Sequence, residues 1–243
     1  MGLAPPLRPR RPPRLSRRLV QARVPEPEIW RTRGAKAAGS PGLGVLLRPP
    51  LLGRAVAATA LATVLLFAYW GLFTWVPAFL AGPAAQGGAG LGLVRSTGFV
   101  VAMQAGAFLG YTTFGVLSDR FGRRPVFLAF VLGAAVAVPA FGLLARSATA
   151  LFLLAPLVGY LGHGYFSVFG VLLAELFPSA VRGAAQGFCY NAGRAVSALA
   201  PFTIGALADR HGIGSALALT AGFYVVGAVL IRFLPETKGQ ELA

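Results

Sequence analysis

The run Gly115-Val-Leu-Ser-Asp119-Arg120-Phe-Gly122-Arg123-Arg124-Pro125 sets one carboxylate and three guanidinium groups around two glycines. At a water interface such a turn makes and breaks ion pairs at little cost. Gly115 and Gly122 keep it compact enough to lie against a neighbouring helix end. An acid placed there can also bond the free N–H groups of a helix N-terminus. Glu175 and Arg182 flank Pro178 and can join the same network. The competing reading is a topology signal with solvated charges, because exposed ion pairs contribute only about 0–1 kcal/mol.

A second set of polar residues is embedded in apolar sequence. Arg194 lies ten residues into an apolar stretch, about 15 Å deep at a rise of about 1.5 Å per residue. A lone Arg at that depth costs at least ~2.5 kcal/mol, so it needs protein or water around it and a partner. Gly187, Asn191, Arg194, Ala198 and Pro201 fall on one helical face, small and polar together. That stripe suits the wall of an aqueous cavity. Two readings of Arg194 stand side by side: it binds an anionic or hydroxyl-rich solute, or it is a structural tie to a carbonyl or carboxylate elsewhere.

Gln104, His163, Tyr69 and Trp70 are the other cavity candidates. Tyr69 and Trp70 offer rings on which a solute can stack, with plain packing as the alternative. His163 can carry a proton or make an interhelical hydrogen bond. Trp75, near a span end, reads as an interfacial anchor. Asp119, Glu175 and Asp209 all sit at span ends, and no Asp or Glu lies mid-span. A proton carried across the membrane would therefore ride on His163 or on a residue outside these spans.

The elements that must position these groups are six apolar spans, at 55–81, 96–117, 125–145, 148–174, 184–208 and 213–234. Each is long enough to cross a hydrocarbon core, which takes roughly 20 residues. Period-two alternation is absent, which disfavours a transmembrane barrel. With 56% hydrophobic and 12% charged residues in 243, the chain is too apolar for a soluble domain. The expected fold is an all-α integral membrane protein. Ala102, Gly106 and Gly110 form a small-residue ridge down the second span, where backbones can approach closely. Gly159, Gly162 and Gly164 fall near the middle of the fourth, as loosening or as packing.

Charge is concentrated at the start of the chain. Residues 1–54 hold 12 of the 22 Lys and Arg and 2 of the 7 acids, within a net charge of +15. With membrane spans following, anionic lipid headgroups are the expected partner and nucleic acid is not. Lys and Arg in the loops place the tail, Arg120, Arg123, Arg124, Arg182, Arg232 and Lys238 on one side, against Arg95, Arg146 and Arg210. Both termini are therefore expected in the cytoplasm. The domains read as a basic Pro/Arg-rich tail at 1–54, a six-helix membrane domain at 55–234 and a short tail at 235–243. Cys189 is alone, so no disulfide framework exists. There is no metal-ligand cluster, no nucleophile–His–acid set, and Gly122-Arg123-Arg124 lacks the Lys-Ser/Thr of a phosphate loop. No cofactor, metal or enzymatic activity is expected.

The chain also repeats itself. Gly115-Val-Leu-Ser-Asp-Arg-Phe-Gly122 ends the second span, and Gly205-Ala-Leu-Ala-Asp-Arg-His-Gly212 ends the fifth. The copies fall on opposite sides, which suits two three-helix units related by inversion, as secondary transporters are often built.

Gly115, Asp119, Arg120, Gly122, Arg123 and Arg124 resemble the signature loop of the major facilitator superfamily. Glu175-Leu-Phe-Pro178-Ser-Ala-Val-Arg182-Gly183 is similar to the loop between the tenth and eleventh helices of its sugar-porter-like branch, and Pro235-Glu236-Thr237-Lys238-Gly239 to the motif after its last helix. Val24-Pro-Glu26-Pro-Glu-Ile-Trp30 matches loosely the segment after the sixth helix, departing beyond Glu26. The resemblance covers the second, C-terminal six-helix half of a twelve-helix protein. It implies a cytoplasmic latch that holds in one state and releases in another. It also implies a permease for a small organic solute, a sugar or an organic acid, in a plasma (bacterial inner) membrane. The partner would be a missing N-terminal half or a second copy. Residues 1–23 carry no apolar core and cannot be a secretory signal. They read as a shifted frame or wrong start, with a native half-transporter as the alternative, or a half that moves nothing.

Overall fold

The computed structural model describes residues 42–143 and 147–238. Residues 1–41 of the basic tail, the 24–30 match, residues 144–146 with Arg146, and Gly239 lie outside the described residues. Among the described residues the only regular structure is helix, joined by short turns, with no strand. After a short 3-10 turn at Leu43–Leu47, α1 (Leu51–Phe73) and α2 (Val76–Ala81) form the first crossing, followed by α3 (Gly92–Phe121) and α4 (Arg123–Leu143). Then come α5 (Ala148–Gly164) with α6 (Phe166–Glu175), α7 (Arg182–Ser197) with α8 (Ala200–His211), and α9 (Ile213–Leu219) with α10 (Ala221–Leu230).

Five of these stretches are long and apolar enough to cross a membrane: Leu51–Ala81, Gly92–Phe121, Arg123–Leu143, Ala148–Glu175 and Ile213–Phe233. The expected span at 184–208 is the exception. Its helix breaks at Ala198-Leu199, ahead of Pro201 in the first turn of α8. It also carries Arg182, Gln186, Asn191 and Arg194 in α7. It nevertheless runs the length of the bundle. Arg182 at its start bonds the carbonyl of Ala174 at 2.9 Å, while Gly212 at its end lies against Gln86 and Gly87. Polar side chains lower its apolarity, and the proline breaks its length. The first crossing begins at Leu51, four residues before the expected start, and places Arg54 in its first turn, where Nη1 bonds the carbonyl of Leu176 at 3.1 Å.

Broken crossings have local causes. Pro77 opens α2 and Pro201 opens α8, each in a first turn that has no N–H to lose. At the α9–α10 join, Thr220 Oγ1 donates to Leu217 O at 2.6 Å, a local bond that competes with the helix ladder.

The tightest contact is between α3 and α5, and glycine makes it. A Cβ on Gly106 would fall 1.9 Å from the Pro156 carbonyl oxygen, and one on Gly159 would fall 1.9 Å from that of Met103. Gly110 likewise faces Tyr160 O at 2.4 Å. Backbones packed this closely trade side-chain volume for dispersion contact along the whole ridge. Gly162 and Gly164 also pack, against Phe73 and Phe130.

Both copies of the internal repeat end in the same backbone geometry. Gly122 (φ 104°, ψ 154°) stops α3 and Gly212 (φ 79°, ψ 150°) stops α8, and in each case a new helix begins at the next residue. That region is essentially open to glycine alone. The Gly122 N–H bonds Ser118 O at 3.0 Å, and the Gly212 N–H bonds the equivalent Ala208 O at 2.9 Å. The two turns lie at opposite ends of the bundle, called below the motif end (Gly122) and the far end (Gly212).

Candidate functional site

At the motif end, Arg123 and Arg124 open α4, whose first N–H groups have no helical partner. Glu236 supplies one: its carboxylate accepts the N–H of Arg123 at 2.9 Å and of Arg124 at 3.0 Å, and those of Thr237 and Lys238 at 3.1 Å each. Burial opposes ionisation of this carboxyl. The N–H groups of Arg124, Arg123, Lys238 and Thr237 outweigh burial and hold its pKa below the usual glutamate value. The acid that bonds this helix N-terminus within the chain is thus Glu236, on the far side of the sequence, and not Asp119.

Asp119 instead pairs with Arg123, Nη1 to Oδ1 at 2.5 Å, and the same Nη1 donates to Ser118 Oγ at 2.8 Å. Arg123 Nη2 reaches Glu175 Oε1 at 3.5 Å, and the hydroxyl of Thr237 donates to Glu175 Oε2. The Glu175 side chain is only 11% exposed and that of Arg123 17%, against 69% for Asp119. The inner pair is therefore shielded from solvent and the outer one is not. Arg124 donates to the carbonyl of Arg232 at 3.0 Å and Lys238 to that of Arg120 at 2.7 Å. Arg120 lies over the Phe121 ring. Arg182 Nε bonds the carbonyls of Ala174 and Phe177, satisfying the exposed C-terminal end of α6. Gly115 has open space around it. Ser118, Glu236, Thr237 and Lys238 are not among the expected site residues, although all four belong to motifs quoted above.

A cavity of about 490 Å³ opens between α1, α3, α6 and α7, lined by Tyr69, Trp70, Tyr111, Phe166, Gln186 and Tyr190 among others. Such a surface, mostly aromatic with a few polar tips, is the usual make-up of a small-molecule site. Gln186 Nε2 is tied to Gly170 O at 2.9 Å. Of the six expected cavity residues, Tyr69 and Trp70 line it. His163 lies behind the wall, 4% exposed, with its Nδ1 3.2 Å from Gly159 O. Asn191 bonds back to Gly187 O at 2.8 Å and is exposed, as are Gln104 and Arg194.

Helix geometry relates these exposed groups to the cavity. Arg194 follows Tyr190 by one turn of α7, and Gln104 precedes Tyr111 by two turns of α3, so each shares a face with a lining residue. Both steps lead toward the far end. Among the described residues, nothing covers Asn191, Arg194 and Ala198, and Gly187 is half-buried. Trp75 is not a free interfacial ring: its Nε1 donates to Pro201 O at 2.9 Å and its ring packs on Gly205, tying α2 to α8. A larger hollow of about 780 Å³ lies at the far end, between the 82–88 loop and the α8–α9 turn. It is away from the polar faces of α3 and α7.

Comparison with known proteins agrees with this architecture. The sequence profile of the Major Facilitator Superfamily matches residues 89–242. The chain belongs to that family. A protein of Haemophilus influenzae, provisionally described as a metabolite transport protein, is 33% identical over 75% of this chain and 44% of its own length. The cis,cis-muconate transport protein of Acinetobacter baylyi is 30% identical over 73% of this chain and 42% of its own. Among solved structures, the human organic anion transporter MFSD10 superposes with a TM-score of 0.56 at 25% identity, covering 78% of this chain and 49% of that one. The chain spans less than half the length of these relatives.

Proposed function

We propose that this chain is one six-helix lobe of an alternating-access carrier for small unsaturated organic acids. The observation that carries the reading is the aromatic cavity, with Arg194 one turn beyond Tyr190 on the same helix face. A flat conjugated acid stacks its carbon skeleton on rings such as Tyr69 and Trp70, at about 0.5–1.5 kcal/mol per ring pair beyond area burial. Its carboxylate needs a desolvated cation, and a guanidinium pairs with it in two parallel bonds. A sugar would need many convergent hydrogen-bond groups, whereas this lining is mostly rings and one amide N–H of Gln186 is already given to Gly170 O. A muconate carrier and an organic anion transporter among its likenesses point the same way.

The complementary wall comes from a second lobe, encoded beside this one or supplied by another copy, that covers the Gly187–Arg194 stripe. The motif end faces the cytoplasm, where Asp119, Arg123 and Glu175 form the latch with Glu236 and Thr237 as its strap. Among the described residues, Arg123 Nε and Arg124 Nε are buried without a hydrogen-bond partner, a cost in the latched state that favours its release. Saturable uptake of radiolabelled cis,cis-muconate, with glucose as the comparison, tests this in cells expressing the chain from its native locus with flanking sequence. Uptake of the acid, competed by other planar carboxylates and not by glucose, is expected. Saturable glucose uptake without acid uptake, or no solute-dependent flux at all, contradicts it.

A further inference from the structure

We propose that His163 is a positioning residue that sets the cavity wall from behind and never touches the solute. The inference rests on the cavity being the solute site, as argued above. His163 does not line that cavity, yet its ring meets wall residues from two other helices. Its centroid is 5.1 Å from that of Tyr69 on α1, edge to face at 86°, and 6.1 Å from that of Tyr111 on α3, at 78°. Phe73, one turn along α1 from Tyr69, packs on the His163 ring with centroids 4.0 Å apart, tilted at 53°.

The ring is fixed in turn by its own helix. A carbonyl only accepts, so the bond to Gly159 O requires the proton on Nδ1. Gly159 itself sits where the α3 and α5 backbones pack so closely that an added Cβ would fall 1.9 Å from Met103 O. His163 thus stands on the closely packed α3–α5 seam and braces two tyrosines against it. It is also the last side chain before the Gly164-Tyr165 break, beyond which Phe166, Phe169 and Gly170 build the opposite wall. Phe166 packs edge to face on Tyr69 at 5.0 Å, which closes the ring of contacts around that tyrosine.

The alternative role, carriage of a proton, asks for a counter-ion beside the imidazole. Among the described residues, no ion pair involves His163, and the rings packed on it are Phe73, Tyr69 and Tyr111.

The test compares His163→Phe, which keeps the ring contacts and loses the Nδ1 bond, with His163→Asn, which loses the rings. Each is measured for net uptake and counterflow of cis,cis-muconate in the protein expressed with its flanking sequence. Losing the ring contacts should raise KM about 10-fold in the Asn variant, and about 3-fold or less in the Phe variant, with Vmax within about 2-fold. The same shift should appear in counterflow. Near-ultraviolet circular dichroism of the purified chain gives a readout independent of transport: the aromatic bands should change in the Asn variant and persist in the Phe variant. Unchanged KM and bands in the Asn variant overturn the proposal. So does loss of net accumulation with wild-type counterflow KM, the mark of a proton carrier. If wild type moves no acid, the functional reading fails, and the dichroism alone still decides the role of His163.

Discussion

Glu236 Oε1 accepts the backbone N–H of Arg123 at 2.9 Å, across 113 residues of chain. The contact joins the end of the last crossing to the first turn of α4. It completes the turn that begins at Gly115 with a group from outside it. A carboxylate at a helix N-terminus is stabilised both by the free N–H groups and by the dipole.

Because those N–H groups hold its pKa low, Glu236 stabilises the folded chain fully above the ordinary glutamate pKa of about 4.3. The contribution fades as pH falls through its own lower value. Thermal unfolding of wild type and Glu236→Gln should differ by a constant amount from pH 7 down to that ordinary value, and the gap should close in more acid solution. A gap that persists at the lowest pH, or none at pH 7, rules the cap out.

Arg123 joins Asp119 to Glu175, so Arg123→Gln should remove both charge pairs and leave the shielded Glu175 with Thr237 alone. Bonds to charged groups contribute about 1.5–3 kcal/mol each when shielded. In the carrier reading, the variant should favour the state open at the motif end, seen as faster alkylation of a cysteine introduced at Ser118. Asp119→Asn, at an exposed pair, should have a smaller effect. Equal effects from the two variants would remove the distinction between inner and outer pairs.

Gly106→Ala tests the α3–α5 seam. Its new methyl would lie 1.9 Å from Pro156 O, whereas a methyl at Gly98 on the same helix meets nothing within 4 Å. The expected outcome is loss of monodisperse folded protein for Gly106→Ala and none for Gly98→Ala, read by size exclusion in detergent. A well-folded Gly106→Ala variant would mean the helices pack farther apart than described.

That seam was legible in the sequence because small residues at four-residue spacing have one geometric consequence. The twin turns at Gly122 and Gly212 were legible for a related reason, since a repeated glycine after Asp-Arg-x marks a backbone few other residues adopt. The helix break at Ala198-Leu199 is less legible: Pro201 shares a face with the small and polar residues of α7, and its ring also ends the helix turn before it. The choice of Glu236 over Asp119 as the cap is not legible either, because local spacing says nothing of a partner 113 residues away. Tyr111, Gln186 and Tyr190 were missed for the same reason. Each is unremarkable on its own helix, and only the convergence of α1, α3, α6 and α7 gathers them around Tyr69 and Trp70. Gln104, Asn191 and Arg194 stand out by polarity, and the structure places all three exposed and outside the cavity lining.

The central claim is that Tyr69, Trp70 and Arg194 belong to one acid-binding surface. Concentration-dependent uptake of cis,cis-muconate by the Tyr69→Ala, Trp70→Ala and Arg194→Gln variants, at matched expression, addresses it most directly. Each should raise KM by roughly 10-fold or more, the loss of about 1.4 kcal/mol or more of binding, with Arg194→Gln also weakening competition by other carboxylates. Wild-type KM in all three would place the solute elsewhere and end the account.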